Sequence, residues 1–567
     1  MSGAASAERV EGNAAGREER LFLILSIFIG VISGLLVVSF RMAIEWLSVL
    51  LLGSAPAPHQ LRLVVVPCVV GLALGVLTRY VFPDVRGSGV NQTKAALYIH
   101  NGYISTKTMI GKFLLAALSI GSGQSLGPED PSLHFGAGVA SRIGRGVGLS
   151  RERMRLFAPV GAAAGLAAAF NAPISAVLLV IEEVIGQWTA AILGSIVLSA
   201  VSAVVVARWF WGSEPMFRIP PVTLKDPREL LAYSVLGILG GFASLLLTKA
   251  LVYLRPKLRS QTPNTQMMLP AFAGLLVGAI AYLGVPQVLG VGYEAMDAAM
   301  HAQYTIGFLL LLAALKLLTS TVSFSAGAPG GLFATALFLG AMLGAAVNGV
   351  EHVWFPSFTG PVGAYALVGM GVFFAAFIRV PLTSVFMILE MSGNYSVVLP
   401  VILANTIAYL ISRSLQPVPV LELFTHQDGL YLPSLEEERE DVSLRLEDAL
   451  HSVDVPVLNG GQLVRELAET PAAGLAPAVL VQCSDGWYAA SQAELRSLSQ
   501  HVAEHGDATL EQALGSRRTP PLFPDQPLAT ALPYFKAWPM LPVSNRAMRG
   551  VLEGVLTLEE VLARFQR

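Results

Sequence analysis

Long apolar runs, broken by short stretches rich in glycine and proline, limit what this chain can fold into. Only 13% of its 567 residues are charged, whereas soluble domains carry about 25% charged residues. About 20 apolar residues are enough to span a bilayer as a helix, and the runs extend from residue 21 to about residue 415. We therefore predict an all-α polytopic membrane protein whose membrane domain covers residues 21–425.

The apolar runs form two sets that resemble one another. Segment 127–137 is similar to segment 331–341, about 204 residues later. A second pair of similar segments leads to Glu182 in the first set and to Glu390 in the second. Paired, interrupted helices in two halves of a membrane protein indicate a transporter's binding site. We predict two repeated halves with these bounds: about 21–213 and about 229–415.

A glycine-rich loop that starts at Gly121 leads to the most informative polar residue of the first half, Glu129. Proline suits the first turn of a helix, so we predict a helix that begins near Pro131 and carries Glu129 at its amino-terminal end. Helix amino termini attract anions, and an acidic residue at membrane depth marks a transport path. Glu129 is therefore the first candidate for an anion and proton pathway.

Three further groups are candidates for the same path. Ser88 places a hydroxyl in a glycine turn before a helix, and Glu183 ends an apolar helix. The backbone N–H groups of Leu332 and Phe333 are expected to be free at another helix start. Removing water from a small anion costs tens of kcal/mol unless other ligands replace it. Converging partial charges can offset that cost and still allow the ion to leave.

Polar segments flank the apolar part of the chain. Residues 1–20 are predicted to be a disordered tail, and Arg17 and Arg20 place it in the cytoplasm by the positive-inside rule. Residues 430–567 are predicted to be a soluble, cytoplasmic α/β domain. In this domain two strands run into Ser/Thr-x-x-Glu capping boxes, at 491–494 and 557–560.

The charge and the cysteine content exclude other kinds of site. The formal net charge of −2 indicates no nucleic-acid partner, and two cysteines build no disulfide framework. The sequence predicts no metal site. We predict a multi-pass protein of the cell membrane, in contact with the lipid bilayer, with both termini in the cytoplasm.

At these residues the chain resembles the CLC family of chloride channels and chloride/proton antiporters, over about residues 21–430. The tail beyond resembles a pair of CBS units, which in many proteins bind adenine nucleotides; a purely structural role is the alternative. The resemblance implies a homodimer with one pore per subunit, and two inverted repeats in each subunit. The motifs that carry it are these: Gly87-Ser-Gly-Val, Gly127-Pro-Glu-Asp-Pro, Phe170-Asn-Ala-Pro with Glu182-Glu183, and Gly330-Gly-Leu-Phe-Ala-Thr.

The resemblance also implies a role for each candidate. Ser88 matches the family's central anion-contacting serine, and Leu332 and Phe333 match positions that donate backbone N–H groups to the ion. Glu129 matches the external gating glutamate, whose carboxylate competes with the anion and carries the proton. Glu183 matches the internal proton-transfer glutamate of many antiporters.

The chain departs from the family pattern at several of these motifs. Asn91 and Thr335 stand where the family has proline, Pro128 replaces a basic residue, and Asp130 replaces glycine. Leu421 aligns with the tyrosine whose hydroxyl closes the inner gate. Without that hydroxyl, we expect coupling between anion and proton to be loose.

The sequence therefore predicts a chloride/proton antiporter and not an enzyme, with no cofactor needed for transport. The nearest alternative is a passive anion channel of the same fold, which Leu421 favours and Glu183 disfavours. Fluoride or nitrate transport is a smaller alternative. An intramembrane hydrolase using Glu129 and Asp130 is disfavoured because no nucleophile or metal cluster accompanies them. A nucleotide sensor with a membrane anchor is a further alternative, but the long apolar repeats are more than an anchor needs.

Two basic residues remain to be assigned near the anion motifs. Lys112 stands where the family has a lysine, and we expect it to be a structural charge rather than a ligand. His134 is expected to pack or cap, with a proton-relay role as the alternative.

Overall fold

The computed structural model divides into two compact units, Met1–Leu432 and Pro433–Arg567. The sequence prediction placed this boundary between residues 425 and 430. We call the first unit the membrane unit and the second the C-terminal unit, and we describe each by itself. The structure describes the following residues: 2–54, 56–148, 151–186, 190–214, 216–217, 226–357, 359–430, 444–450, 455–469, 478–484, 486–500, 507–515, 517–545 and 551–565.

The membrane unit consists of helices and short turns. Its first half contains α1 Ser2–Leu52, α2 Arg62–Tyr80, a 3-10 turn Pro83–Val85, α3 Gly89–Tyr98, α4 Thr106–Gly121, α5 Glu129–Val147, α6 Arg151–Phe170, α7 Pro173–Leu179, which continues as a π-helix Val180–Ile185, and α8 Ala190–Trp211. Its second half contains α9 Glu229–Arg259, α10 Pro263–Tyr282, a 3-10 turn Pro286–Val288, α11 Tyr293–Met300, α12 Ile306–Ser325, α13 Phe333–Trp354, α14 Val362–Ile378, α15 Pro381–Ser392, a 3-10 turn Tyr395–Val397 and α16 Val398–Leu415. A final short helix, α17, covers Val420–Gln427.

The two halves repeat one another element by element, as the sequence predicted. Helices α1–α8 and α9–α16 follow the same order, and each half has a 3-10 turn between its second and third helix. The halves meet at an antiparallel bridge between Gly127 and Gly331, where each N–H donates to the other's carbonyl at 2.8 Å. These are the residues that the sequence comparison aligned. The antiparallel pairing is what an inverted repeat requires.

The two halves also exchange helix caps. The Glu182 carboxylate accepts the Thr383 N–H in the first turn of α15 at 2.8 Å. The Glu390 carboxylate accepts the Ser175 N–H in the first turn of α7 at the same distance. Carboxylates stabilise helix amino termini because the exposed N–H groups carry partial positive charge. Each half therefore supplies a cap that the other lacks, which ties the repeats together.

A buried lysine supports the glycine turn of each half. Lys112 Nζ donates to the Gly87 carbonyl at 3.2 Å, and Lys316 Nζ donates to the Gly290 carbonyl at 2.7 Å. Both lysines are at most 1% exposed. Buried charges need such hydrogen bonds to offset the loss of water. Both lysines thus hold a turn in place within their own half.

Close packing between helices depends on paired glycines. A Cβ at Gly136 of α5 would lie 1.9 Å from the Gly161 carbonyl oxygen of α6. In the second half a Cβ at Gly340 of α13 would lie 2.1 Å from the Gly369 oxygen of α14. Small residues at such crossings let membrane helices approach closely. A larger side chain at any of these positions would push the helices that carry the pathway apart.

Among the described residues, eight helices are long and apolar enough to cross a membrane. Others are shorter, as predicted: α4 has 16 residues, α14 has 17 and α15 has 12. Helix α13 lies deepest, with 78% of its apolar window buried against 33–44% for the other candidates. Short or deeply buried helices are typical of the interior of a transporter.

The backbone of the polar tail is helical from Ser2 onward in the structure, and the disorder predicted for residues 1–20 stays a prediction. Helix α1 runs without a break from Ser2 to Leu52. The tail contains no proline and is rich in alanine, glutamate and arginine, which favour helix. It also continues an apolar helix that is already nucleated, so adding further turns avoids the cost of starting a new helix.

The C-terminal unit is a small α/β structure. It contains a 3-10 turn Leu446–Ala449, β1 Val457–Asn459, a 3-10 turn Val464–Glu469, β2 Ala478–Cys483, β3 Gly486–Ser491, α18 Gln492–Gln500, α19 Leu510–Ala513, a 3-10 turn Leu528–Lys536, β4 Leu541–Ser544, β5 Leu552–Leu556 and α20 Leu558–Phe565. Strand β1 pairs in parallel with β2, β2 is antiparallel to β3, and β4 is antiparallel to β5.

Both predicted capping boxes are present in the C-terminal unit. The Ser491 N–H donates to Glu494 at 2.8 Å, and the Thr557 N–H donates to Glu560 at 3.1 Å. The reciprocal bonds from each glutamate N–H to the Ser or Thr hydroxyl are also made. Elsewhere in this unit, hydrogen bonds from the side chain and backbone of Ser484 hold the pKa of Glu511 below its usual range.

Candidate anion and proton pathway

Glu129 lies where the two halves meet. It is the first residue of α5, slightly earlier than the predicted helix start, and it is fully buried. The Tyr293 hydroxyl donates to Glu129 Oε1 at 2.5 Å. The other carboxylate oxygen lies against Gly127 and the Ala334 end of α13, since a Cβ at Gly127 would come within 2.4 Å of that oxygen and 2.7 Å of Ala334 Cβ. The backbone of Ala334, in the first turn of α13, interacts with the carboxyl group on this side.

A cation and a tyrosine lie on one side of this carboxylate. The Arg41 guanidinium lies 5.6 Å from the centre of the Tyr293 ring and 4.6 Å from that of Trp211. Arg41 and Tyr293 also line a cavity of about 360 Å³ together with Asp297. The hydroxyl of Tyr293 therefore connects the buried Glu129 to the wall of an open cavity.

Ser88 lies at the amino terminus of α3, and its hydroxyl already has a hydrogen-bond partner within the chain. It is the residue before the first helical turn and is 3% exposed. Its hydroxyl donates to Asp130 Oδ1 at 3.2 Å, and the Val90 N–H donates to the same oxygen at 2.8 Å. The carboxylate of Asp130 thus occupies the amino terminus of α3.

Leu332 and Phe333 form the amino terminus of α13. Leu332 is the residue before the helix and Phe333 is its first residue, and both are buried. The first N–H groups of a helix have no partner within that helix. The Gly127–Gly331 bridge places this terminus beside the start of α5, which carries Glu129. The amino termini of α5 and α13, which both carry partial positive charge, therefore lie close together.

Glu183 lies in the π-helical turn that follows α7 and forms an ion pair with Lys94. The Lys94 ammonium lies 2.5 Å from Glu183 Oε1, and the two side chains are 13% and 4% exposed. Lys94 belongs to α3, five residues after the helix begins at Gly89. The two candidate carboxylates therefore lie beside different helices. Glu183 pairs with the body of α3, whereas Glu129 lies at the starts of α5 and α13.

Leu421 lies in the first turn of α17 and is 5% exposed. Its carbonyl accepts a hydrogen bond from Asn91 Nδ2 at 2.8 Å. Asn91 is in the first turn of α3, three residues after Ser88. Asn91 thus ties α17 to the helix whose amino terminus carries the serine, and it places Leu421 next to that helix.

The remaining departures from the family pattern also lie inside the membrane unit. Thr335 joins a buried group of hydroxyls through a 3.0 Å bond to Ser320. Pro128 caps α5. Among the described residues, neither ring nitrogen of His134 has a hydrogen-bond partner, although the residue is only 2% exposed. The structure therefore gives His134 packing contacts but no capping bond.

Sequence reasoning missed Tyr293 and Lys94. A signal for Tyr293 was present, because the pattern Pro-x-Val-x-Gly-x-Gly at 83–89 recurs at 286–292. That repeat aligns Tyr293 with Val90, whose N–H contacts Asp130. Lys94 carries no comparable signal, since a lysine in a short helix is most often solvated.

Comparison with known proteins places this geometry in a family. Residues 70–413 match the profile of the voltage gated chloride channel family. A ClcB-like chloride channel protein of Ralstonia nicotianae is 33% identical over 396 residues, which cover 69% of this chain and 89% of that protein. An H(+)/Cl(−) exchange transporter ClcA of Salmonella paratyphi B is 29% identical over 420 residues, covering 70% of this chain and 86% of the relative.

Solved structures have the same fold. A slow cyanobacterial Cl−/H+ antiporter superposes with a TM-score of 0.65 at 25% identity, covering 72% of this chain and 97% of that one. A eukaryotic CLC transporter superposes with a TM-score of 0.61 at 19% identity, covering 95% of this chain and 97% of that one. The match to the family profile covers more than half of the sequence, and the chain belongs to the CLC family of voltage gated chloride channels.

Proposed function

We propose that this protein exchanges chloride for protons across a cell membrane. The observation that carries the proposal is the position of Glu129, a fully buried carboxyl group at the point where α5 and α13 begin. The relatives named as H(+)/Cl(−) exchange transporters and as a Cl−/H+ antiporter support the same activity. A carboxyl group can hold either a proton or a negative charge, so it can compete with an anion and also carry a proton.

The proposed roles follow from what each group can donate or accept. The Ser88 hydroxyl and the N–H groups of Leu332 and Phe333 donate hydrogen bonds to the anion along the path. Donors that carry only partial charge bind an anion without trapping it. Glu129 is the gate, held in its place by the Tyr293 hydroxyl. Glu183 transfers protons beside the body of α3, where Lys94 is its charged partner.

The test uses the full chain purified and reconstituted into vesicles. A chloride gradient should drive protons against their own gradient, and Glu129→Gln should abolish this movement because an amide has no titratable proton. Chloride flux should survive in this variant. Proton pumping that persists in Glu129→Gln would contradict the role of Glu129, and a wild-type protein that moves chloride without protons would favour a passive channel.

A passive channel is the second candidate function, and one observation favours it. Leu421, which lies next to α3, cannot donate a hydrogen bond to an anion at Ser88. Loose coupling is the intermediate case, in which chloride sometimes crosses without a proton. The number of protons moved per chloride separates these three cases.

Chloride is the proposed physiological anion, and fluoride and nitrate are the alternatives. The serine at position 88 supports chloride through the resemblance described above. A structural likeness to a fluoride/proton antiporter at 22% identity bears on the fold alone. Efflux of chloride, nitrate and fluoride from the same vesicles would rank the three ions, and faster fluoride than chloride efflux would overturn this choice.

We propose further that the protein is a homodimer, that both termini are cytoplasmic, and that the C-terminal unit is a CBS-like pair. The two strands that lead through capping boxes into helices support the last point. Adenine nucleotide binding by this unit stays a prediction. Titration of the full chain with ATP, followed by calorimetry, would test it against a purely structural role.

A further inference from the structure

The amino terminus of α3 already holds an anion that belongs to the chain itself. Asp130 Oδ1 accepts the Val90 N–H at 2.8 Å and the Ser88 hydroxyl at 3.2 Å. Asp130 is 3% exposed. A Cβ placed at Gly89 would lie only 3.0 Å from the same oxygen, so the carboxylate fills the space directly in front of the turn.

These donors are the ones that a transported anion needs at this point. A helix amino terminus offers a small number of N–H groups and about half a positive charge. Two anions cannot share these donors, because they would repel one another at close range and each would lose hydrogen bonds. An incoming anion therefore has to displace the carboxylate of Asp130 or remain outside the turn.

The charged and titratable groups nearest to Asp130 come from two helices, and Asp428 and Arg259 lie at the far side of the turn, 3.8 and 3.9 Å from a Cβ placed at Gly87. Lys112 of α4 donates to the Gly87 carbonyl behind the turn and interacts electrostatically with Asp130. On α5 itself, Glu129 precedes Asp130, and His134 follows one helical turn later with both ring nitrogens unpartnered within the described residues. Segments 87–91 and 330–335, which also pack here, contain no titratable side chain.

We propose that Asp130 is an internal competitor of the transported anion, and that an anion binds at Ser88 and Val90 when Asp130 takes up a proton and releases both donors. One proton enters as one anion binds, so the net charge of the site does not change. The proposal rests on the proposed function of this pathway. It adds a proton-linked carboxylate beside Glu129, at a position where the family has glycine.

The test measures chloride binding to the full chain by calorimetry. Glu129→Gln serves as the background, since Glu129 also titrates with pH. In this background chloride affinity should rise by about tenfold for each unit that the pH falls, because one proton is taken up per anion. The dependence of the binding enthalpy on the buffer's ionisation enthalpy should give about one proton per chloride.

Asp130→Asn and Asp130→Gly in the same background complete the experiment. Both should bind chloride with an affinity that no longer changes with pH, without proton uptake, and more tightly than the background protein at neutral pH. Asparagine keeps the size of the side chain, and glycine removes it, so agreement between them excludes a simple loss of packing. Asp84→Asn removes an exposed acid just before the same turn and should keep the pH dependence.

Two results would overturn the proposal. One is pH-independent chloride binding in Glu129→Gln, and the other is an unchanged pH dependence after Asp130→Asn and Asp130→Gly. Chloride-driven proton movement by the wild-type protein is measured separately. If exchange is intact while either result is found, only the role of Asp130 fails; if exchange itself is absent, the proposed function fails.

Discussion

The two halves of the membrane unit share one architecture but differ in their chemistry. Their helices follow the same order, and they exchange equivalent caps through Glu182 and Glu390. At the functional positions they diverge, since the second half carries apolar residues where the first half has acids. The aligned pairs are Glu129 with Phe333, Asp130 with Ala334, and Glu183 with Met391.

This difference distinguishes the positions that stabilise the repeated fold from the positions of the candidate site. Symmetric positions hold the fold, because the same lysine and the same cap recur in each half. At the asymmetric positions the first half carries carboxyl groups, which can take up and release protons, and the second half carries apolar side chains. The second half contributes a helix terminus and the Tyr293 hydroxyl to a site whose acids come from the first.

The largest effect is expected for Glu183, which aligns with an apolar residue of the second half. Glu183→Gln removes a titratable group that the second half lacks, and proton flux should fall on the order of a hundredfold, as is typical when a positioned proton-transfer group is lost. Chloride flux should continue. Paired chloride and proton fluxes in vesicles measure both. Unchanged proton flux would remove Glu183 from the proton path.

The neighbouring Glu182 should behave differently, because it caps a helix. Glu182→Gln and Glu390→Gln should each reduce the free energy of unfolding by about 1.5–3 kcal/mol, the usual range for hydrogen bonds to a charged group. The number of protons moved per chloride should stay as in the wild-type protein. Thermal unfolding of the purified full chain measures the loss, and clearly unequal losses in the two variants would contradict the equivalence of the caps.

Tyr293 belongs to the second half and donates a hydrogen bond to Glu129 of the first half. Tyr293→Phe removes the 2.5 Å bond to Glu129 while keeping the ring. The carboxylate should then leave its position more easily, and chloride flux should rise about tenfold, since 1.4 kcal/mol corresponds to a factor of ten. Vesicle efflux measures the change. A slower flux would mean that the tyrosine assists transport rather than holding the gate.

Much of the architecture could be predicted from the sequence, because it follows from local pattern. The similarity of 127–137 to 331–341 aligned the two glycines that bridge the halves, and the Gly/Pro-rich loop predicted a helix start near Pro131, slightly later than the observed start at Glu129.

The contacts of the site could not be predicted in the same way. Asp130 and Ser88 are 42 residues apart, and Tyr293 and Glu129 are 164 apart. Such contacts depend on how the helices cross, which residue periodicity does not encode. The sequence therefore showed Asp130 only as a replacement for glycine beside Glu129, whereas the structure shows that it binds the start of α3.

The smallest expected effect concerns Leu421 in α17, the proposed inner-gate position. An antiporter has to stop the anion from slipping through while its proton carrier is out of place. In the family a tyrosine hydroxyl helps by donating a hydrogen bond to the central ion. Leu421 occupies the aligned position here, and its backbone carbonyl accepts a hydrogen bond from Asn91 of α3. It is bulky enough to obstruct the path but has no side-chain donor.

Leu421→Tyr should therefore lower chloride flux and raise the number of protons moved per chloride. One added hydrogen bond to a charged group is worth about 1.5–3 kcal/mol, but the buried site has to accommodate a larger ring, so we expect a few-fold change in the ratio rather than a change in mechanism. Leu421→Phe is the matched control, because it adds the ring without the hydroxyl and should leave the ratio unchanged. The measurement is paired chloride and proton flux at one fixed gradient. An equal ratio in Leu421→Tyr and Leu421→Phe would show that no hydroxyl at position 421 reaches the ion, and that the inner barrier of this protein is formed by other residues.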